Sequence, residues 1–194
     1  CKGTLNVLNA ARNAGTKRFV FSSSSAVYGN LEGAAASENL PTNPVSPYGV
    51  SKLIAENYCQ VFKKQYGLST VVLRYFNVYG PRQNPNSEYA AVIPKFMDAA
   101  KKGKPLTIYG DGEQTRDFVY IGDVVEANML AVKSDYCGAL NVASGKSVSV
   151  NSLAEKIISI AGAAGASGTG AKAKIAHAKE REGDVKISSA DTGL

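Results

Sequence analysis

Tyr48 and Lys52 stand four residues apart in "SPYGVSK", residues 46–52, so a helix here puts both on one face. A phenol titrates near pH 10 and is a weak base at neutral pH. An ammonium beside it favours the phenolate and lowers that pKa. The pair can then exchange a proton with a substrate hydroxyl. The same spacing also occurs in helices that do no chemistry, so the neighbours decide. "KRFVFSSSS" reads as a short apolar strand running into hydroxyls, and parallel α/β sheets bind ligands at that carboxyl edge. Ser24 precedes Tyr48 by 24 residues, close enough to meet it across the intervening loop. Its hydroxyl can donate to a developing oxyanion or hold the reacting hydroxyl.

Ordered elements must position such groups. Residues 4–14 carry Leu5, Val7, Leu8 and Ala11 at helical spacing, with Gly15 as the stop. The polar stretch 29–47 is too long for a plain turn and reads as a functional loop. The following helix is expected to bury Val50, Leu53, Ile54, Tyr58, Val61 and Phe62 on one face and to end at Gly67. "STVVLRYFN" has the near-continuous β-branched and aromatic content of a strand covered on both sides. Helix, strand, helix, strand at this spacing predicts an α/β fold, a parallel sheet wound by helices. Residues 81–122 break the rhythm: a loop leads into a helix, and "PLTIYGDGEQTRDFVYIGD" offers short β segments around glycine turns. A helix over 123–134, a strand at "ALNVAS" and a helix over 150–161 follow. The Gly- and Ala-rich stretch 162–174 is expected to be a mobile surface loop.

The 194 residues, 44% hydrophobic and 20% charged, suffice for a real core. No apolar run approaches the roughly 18–20 residues of a membrane helix, and a cytoplasmic protein is expected. Cys1, Cys59 and Cys137 form an odd set without metal spacing, and His177 has no evident co-ligands, so no metal is expected. A net charge of +6 suits an anionic small molecule and equally a lysine-rich solvated surface. Without a basic run interleaved with aromatics, nucleic acid is a poor partner. A doubly wound dinucleotide-binding fold begins with a strand and a glycine-rich turn that seats the pyrophosphate on a helix N-terminus. Neither G-x-G-x-x-G nor G-x-x-G-x-x-G is expected anywhere in these residues. Such a half is expected upstream of Cys1, where the chain starts as a helix in progress.

"SSSSAVYG", "SPYGVSK", "LRYFNVYGPRQNPNSEYAAVIPKF", "GDGEQTRDFVYIGD" and "REGDV" follow one another in the order found in the extended short-chain dehydrogenase/reductases. The chain resembles most closely the nucleotide-sugar 4-epimerases of the NAD-dependent epimerase/dehydratase family, those acting on UDP-glucose or UDP-N-acetylglucosamine. The resemblance implies a partial Rossmann-like doubly wound parallel sheet with a smaller α/β substrate-binding region. Residues 1–80, with 123–145 returning to them, would be the C-terminal part of the NAD-binding domain. Residues 81–194 would be mainly the nucleotide-sugar-binding region, incomplete at the C-terminus. The resemblance also implies NAD as cofactor, held by Ser22, Tyr48, Lys52 and Tyr75, with Tyr48 as the base, Lys52 on the nicotinamide ribose and Ser24 assisting at the sugar.

For the UDP-sugar it implies Ser24, Ser25 and Ser188 at the hexose, and Asn77, Arg116 and Arg181 at the diphosphate. Ala91, Val92 and Tyr109 would meet the base, and Asp184 the ribose. Arginine suits the diphosphate because its fork pairs with phosphate oxygens. Arg116 could instead be a structural partner of Asp117 or Glu113, Tyr109 plain core, and Arg181 part of a solvated face. Related dehydratases carry an acid pair, and decarboxylases a glutamate, just after the serine. Here Ser25 and Ala26 stand there, so elimination and decarboxylation lack their group while 4-epimerisation needs none. A small residue at Ser188, with Ser25, favours admission of N-acetyl sugars. The expected activity is 4-epimerisation of a UDP-hexose by a homodimer, with residues 1–194 inactive alone. Another nucleotide-sugar epimerase, such as one acting on UDP-glucuronate, and a non-catalytic NAD(P)-binding regulator of the same fold are the alternatives.

Overall fold

The computed structural model describes residues 1–31, 33–86, 91–163, 173–180 and 185–193. Its first half is the expected alternation: α1 (Lys2–Asn13), β1 (Arg18–Ser24), a 3-10 turn (Ser25–Val27), α2 (Pro47–Tyr66) and β2 (Ser69–Tyr75). β1, β2 and the later β6 (Gly138–Val142) form a parallel sheet in the order β1-β2-β6. One face is covered by α1 and α2, where Leu8, Cys59 and Phe62 pack on Leu68 and Val72. The other is covered by α4 (Ile121–Lys133), where Val124 and Ala131 pack on Val71, Leu73 and Val142. Helices on both faces of a parallel sheet make the arrangement doubly wound.

Residues 81–120 and 143 onward build smaller pieces around that sheet. β3 (Asn77–Tyr79) pairs in parallel with β5 (Thr115–Tyr120), and β5 pairs antiparallel with β7 (Ser147–Ser149). β4 (Leu106–Tyr109) runs parallel to β8 (Ile175–Ala178). α3 (Val92–Lys101) and α5 (Val150–Ala163) close a second core of Phe96, Ala100, Leu106, Ile108, Val150 and Ala154. His177 is used locally, its Nδ1 lying 2.8 Å from the Gly110 carbonyl. Among the described residues no helix is long and apolar enough to cross a membrane.

Several details differ from the pattern in the sequence. "STVVLRYFN" is not one strand. It breaks at Phe76, whose N–H donates to Val142 O at 3.1 Å while its ring joins a further core with Val27, Tyr28, Ala36 and Ala190. β7 and β8 were not anticipated, because one is a short polar segment and the other sits in a Lys- and Ala-rich stretch. The buried face of α2 agrees in part: Phe62 is buried and Leu53 and Tyr58 pack against the cores, but Val50, Ile54 and Val61 are exposed and Gly49, Ala55, Glu56 and Cys59 are buried instead. The exposed three form a second apolar stripe on the helix. Residues 164–172 of the expected mobile loop lie outside the described residues.

Local chemistry sets where α2 begins. Ser46 is extended (φ −139°) and its Oγ accepts from Gly49 N at 3.1 Å, with Pro47 at the first helical position. Gly67 (φ +69°) ends the helix in the left-handed conformation that suits glycine. The start of the helix lies hard against the 3-10 turn: a Cβ on Gly49 would stand 2.5 Å from Ala26 O and 2.9 Å from Pro44 Cβ. Gly49→Ala is therefore expected to cost about 1–3 kcal/mol in urea denaturation. Gly3→Ala in α1, where a Cβ meets nothing within 4 Å, should leave stability unchanged or raise it by about 0.5–1 kcal/mol.

Candidate active site

β1 alternates its side chains: Phe19 and Phe21 pack with α1 and α2, and Val20 packs on the α4 side. The serines at its end continue the pattern. Ser23 turns toward α2 and bonds Glu56 there, and Ser22 meets the Tyr75 hydroxyl at 3.2 Å. Lys52, one turn into α2 from Tyr48, donates from Nζ to the Ser22 carbonyl at 2.8 Å. That Nζ lies 5.6 Å from the centre of the Tyr48 ring and 5.3 Å from that of Phe21. Tyr48 is 56% exposed, so its ring is open to a ligand at the carboxyl edge of the sheet. Tyr75 is further held by Asn128 of α4, whose Nδ2 donates to the hydroxyl at 2.7 Å. Ser22 thus links Lys52 and Tyr75, with the Tyr48 ring beside Lys52.

The remaining candidates line two cavities. The first, of about 300 Å³, has Ser24, Ser25, Asn77, Arg116 and Ser188 in its wall, with Tyr28, Ala36 and Ile187. The second, of about 280 Å³, has Asn77, Ala91, Val92, Tyr109 and Arg116. Asn77 and Arg116 face both. Ser24 opens the 3-10 turn, its Oγ accepting from Ala26 N at 3.2 Å. Arg181 and Asp184 lie outside the described residues.

Two sets of supporting residues escaped the sequence reading. Asp117, fully buried beside Arg116, accepts from Ser144 N at 2.8 Å, Ser144 Oγ at 2.7 Å and Gly145 N at 2.9 Å. Its backbone carbonyl accepts from Asn77 Nδ2 at 3.0 Å. One aspartate therefore ties β3, β5 and the β6–β7 turn together where the two cavities meet. The second set centres on Arg74 and Glu56, 5% and 1% exposed, paired Nη2 to Oε2 at 2.7 Å. Arg74 Nη1 donates to Tyr28 OH at 2.9 Å, and Tyr28 OH donates to Asn141 Oδ1 at 2.7 Å. Burial pushes the Tyr28 phenol up against the opposing pull of Arg74, so it remains a donor. A charged residue inside the apolar run "VVLRYF" was the available signal, since arginine is almost never buried unpaired. The spacing that puts Glu56 on the face of Lys52 was another.

Sheet order, site and motifs define a class, and the comparisons agree with it. Residues 1–143 match the model of the NAD dependent epimerase/dehydratase family, and the chain belongs to that family. A putative UDP-glucose 4-epimerase of Methanocaldococcus jannaschii is 46% identical over 154 residues, 78% of this chain and 49% of that protein. The solved UDP-N-acetylglucosamine 4-epimerase from Methanobrevibacter ruminantium M1, in complex with UDP-N-acetylmuramic acid, superposes with a TM-score of 0.90 at 45% identity. It covers 99% of this chain and 59% of its own. The UDP-glucose 4-epimerase of Thermus thermophilus in complex with NAD superposes with a TM-score of 0.87 at 38% identity, covering 98% of this chain and 60% of its own. The chain spans about half the length of the curated relative.

Contrary to expectation, G-x-x-G-x-x-G does occur, at Gly162, Gly165 and Gly168, but its first glycine lies within α5 rather than after a strand, so the strand–turn–helix order of a pyrophosphate turn is not met. For the Asp117 cluster, Asp117→Asn keeps the shape but removes the charge from three hydrogen bonds. We expect a loss of about 1–3 kcal/mol in chemical denaturation, whereas Asp135→Asn on the surface should change stability by less than about 0.5 kcal/mol.

Proposed function

We propose that this chain is part of an NAD-dependent 4-epimerase of a UDP-hexose: UDP-glucose and UDP-galactose, with their N-acetylated counterparts admitted. The observation that carries the reading is Lys52 fixed on the Ser22 carbonyl, with Tyr48 exposed on the same helix face. Both stand at the edge of the sheet where Ser24 opens the first cavity. These residues fit the nicotinamide-ribose end of a dinucleotide. An ammonium has three donors; one is spent on Ser22, leaving two and a full charge for a ribose diol. NAD, when bound, supplies the acceptor for the hydride at the sugar C4. Tyr48 takes the proton of the 4-hydroxyl and later returns it, with the Lys52 ammonium 5.6 Å from its ring centre on the same helix face. Ser24 holds the same oxygen through its hydroxyl.

The first cavity suits the hexose and the second the uridine, with Asn77 and Arg116 at the diphosphate between them. Ala91, Val92 and Tyr109 serve the base. Arg181 and Asp184, outside the described residues, are assigned to the diphosphate and the ribose. Ser25 and Ser188 are small, which supports room for an acetamido group. No carboxylate stands at positions 25 and 26, which favours epimerisation over elimination. The division into an NAD-binding part, 1–80 with 123–145, and a nucleotide-sugar part, 81–194, is supported by the separate cores under the parallel sheet and around α3 and α5. A homodimer is supported by the second apolar stripe of α2, Val50, Ile54 and Val61, exposed together with Val7 of α1.

In the complete protein, Tyr48→Phe should lower kcat by about 10²–10⁴-fold with NAD binding retained; unchanged turnover would remove Tyr48 from the mechanism. Turnover of both UDP-glucose and UDP-N-acetylglucosamine is expected, and none of the acetylated sugar would refute the roles given to Ser25 and Ser188. Residues 1–194 alone, with no strand–glycine turn–helix of the dinucleotide-binding kind among the described residues, should show no turnover, and measurable epimerisation by them would overturn that.

A further inference from the structure

The parallel register sets Ser23, Arg74 and Asn141 side by side across β1, β2 and β6. Glu56 closes over this row from α2, bonded to Arg74 and to Ser23 Oγ. Every member adjoins a group of the proposed site. Glu56 is one turn beyond Lys52, Ser23 lies between Ser22 and Ser24, and Arg74 precedes Tyr75. The far end of the row reaches the first cavity. Tyr28 lines that cavity, and Asn141 Nδ2 donates at 2.8 Å to the carbonyl of Ala36, another wall residue. Ala36 in turn exchanges backbone bonds with Ser189 and Asp191, at 2.8 and 2.9 Å, next to Ser188.

A buried ion pair is a poor choice for stability alone, because apolar residues of similar volume are often as good or better. Its directionality is what they cannot supply. Bonds from Glu56 to two strands fix how far α2 slides along β1, and that slide decides whether Lys52 reaches the Ser22 carbonyl. We infer that Glu56 and Arg74 are positioning residues: they lock Tyr48 and Lys52 in register with Ser22 and Ser24, and hold the Tyr28–Ala36 wall to the same frame. The inference rests on the epimerase reading for its kinetic consequence but not for its structural one.

Three variants of the complete, NAD-loaded protein test it: Ser23→Ala, Glu56→Gln and the apolar double variant Glu56→Met with Arg74→Met. A misplacement of about 1 Å can cost 10²-fold. We therefore expect the double variant to melt near the wild type, with kcat down about 10–100-fold and KM for the UDP-sugar within about threefold. Ser23→Ala, which leaves no buried charge unpaired, should lower kcat about fivefold, the factor equivalent to one lost hydrogen bond. Hydrogen exchange at the amides of residues 49–53 should quicken in all three, with or without substrate. A folded double variant with kcat within about twofold of wild type, or unchanged exchange at 49–53 in Ser23→Ala, would overturn the inference. A wild type that turns over no UDP-sugar would refute the epimerase reading instead, and the exchange measurement would still decide the positioning role.

Discussion

Arg74 is a guanidinium in the middle strand of a parallel sheet, and its desolvation constrains everything around it. Taking either ion of the Arg74–Glu56 pair out of water costs several kcal/mol even after relaxation, so each must be met by the other and by further hydrogen bonds. Glu56 satisfies two nitrogens of Arg74 and the Ser23 hydroxyl, and Tyr28 satisfies a third nitrogen. These partners come from α2, β1 and the segment after the 3-10 turn. Removing Arg74 or Glu56 would leave the other buried without its charge partner, and the bonds from Ser23 and Tyr28 tie β1 and the segment after the 3-10 turn to that pair.

A second buried carboxylate does for the smaller half what Glu56 does for the larger. Asp117 holds the Ser144–Gly145 turn through three donors, and its backbone carbonyl holds Asn77. Arg116 precedes it and Phe118 follows in register with Asn77. The two cavities therefore share a wall built on a strand pair that is anchored to β6 of the parallel sheet. A site that must handle both ends of one elongated ligand needs such a joint. The one in this chain is made of backbone and one acid rather than of a large hydrophobic interface.

What could be read from residues alone follows from which forces act locally. Strands β1 and β2 and helices α1, α2, α4 and α5 were legible because apolar periodicity and glycine stops are local properties. That Tyr48 and Lys52 share a helix face was legible because i, i+4 spacing fixes it, and the ordered motifs contain Asn77 and Arg116, which line both cavities. The buried stripe of α2 was legible only in part. Leu53, Tyr58 and Phe62 pack on the cores as expected, whereas Val50, Ile54 and Val61 stay exposed and Glu56, the partner of Arg74, is buried. β7 and β8 were invisible for a similar reason, since each exists only through pairing with a distant strand. Nothing adjacent in the sequence marks Glu56 as buried, because the partner that makes its burial tolerable, Arg74, lies 18 residues away.

If the chain works as the proposed epimerase, its single proton-handling pair has a consequence for how the two cavities must differ. With no carboxylate at Ser25 or Ala26 to serve a second step, removal of the 4-hydroxyl proton and its return would both fall to Tyr48. One tyrosine on one helix faces one side of a sugar, so inversion at C4 would require the oxidised hexose to turn over between the two hydride transfers. The nucleotide end would have to stay gripped meanwhile, or the reactive keto sugar would be lost to solvent. The first cavity would suit the turning at the end where Ser24, Ser25, Ala26, Ser188 and Ser189 form its wall, while Tyr28, Leu31, Phe76 and Ile187 close the rest. The second presents Ile93, Phe96, Ile108, Tyr109 and Phe118, side chains that can hold a flat base by contact area. Asn77 and Arg116, shared by both walls, stand where a tether between the turning and the fixed parts would pass.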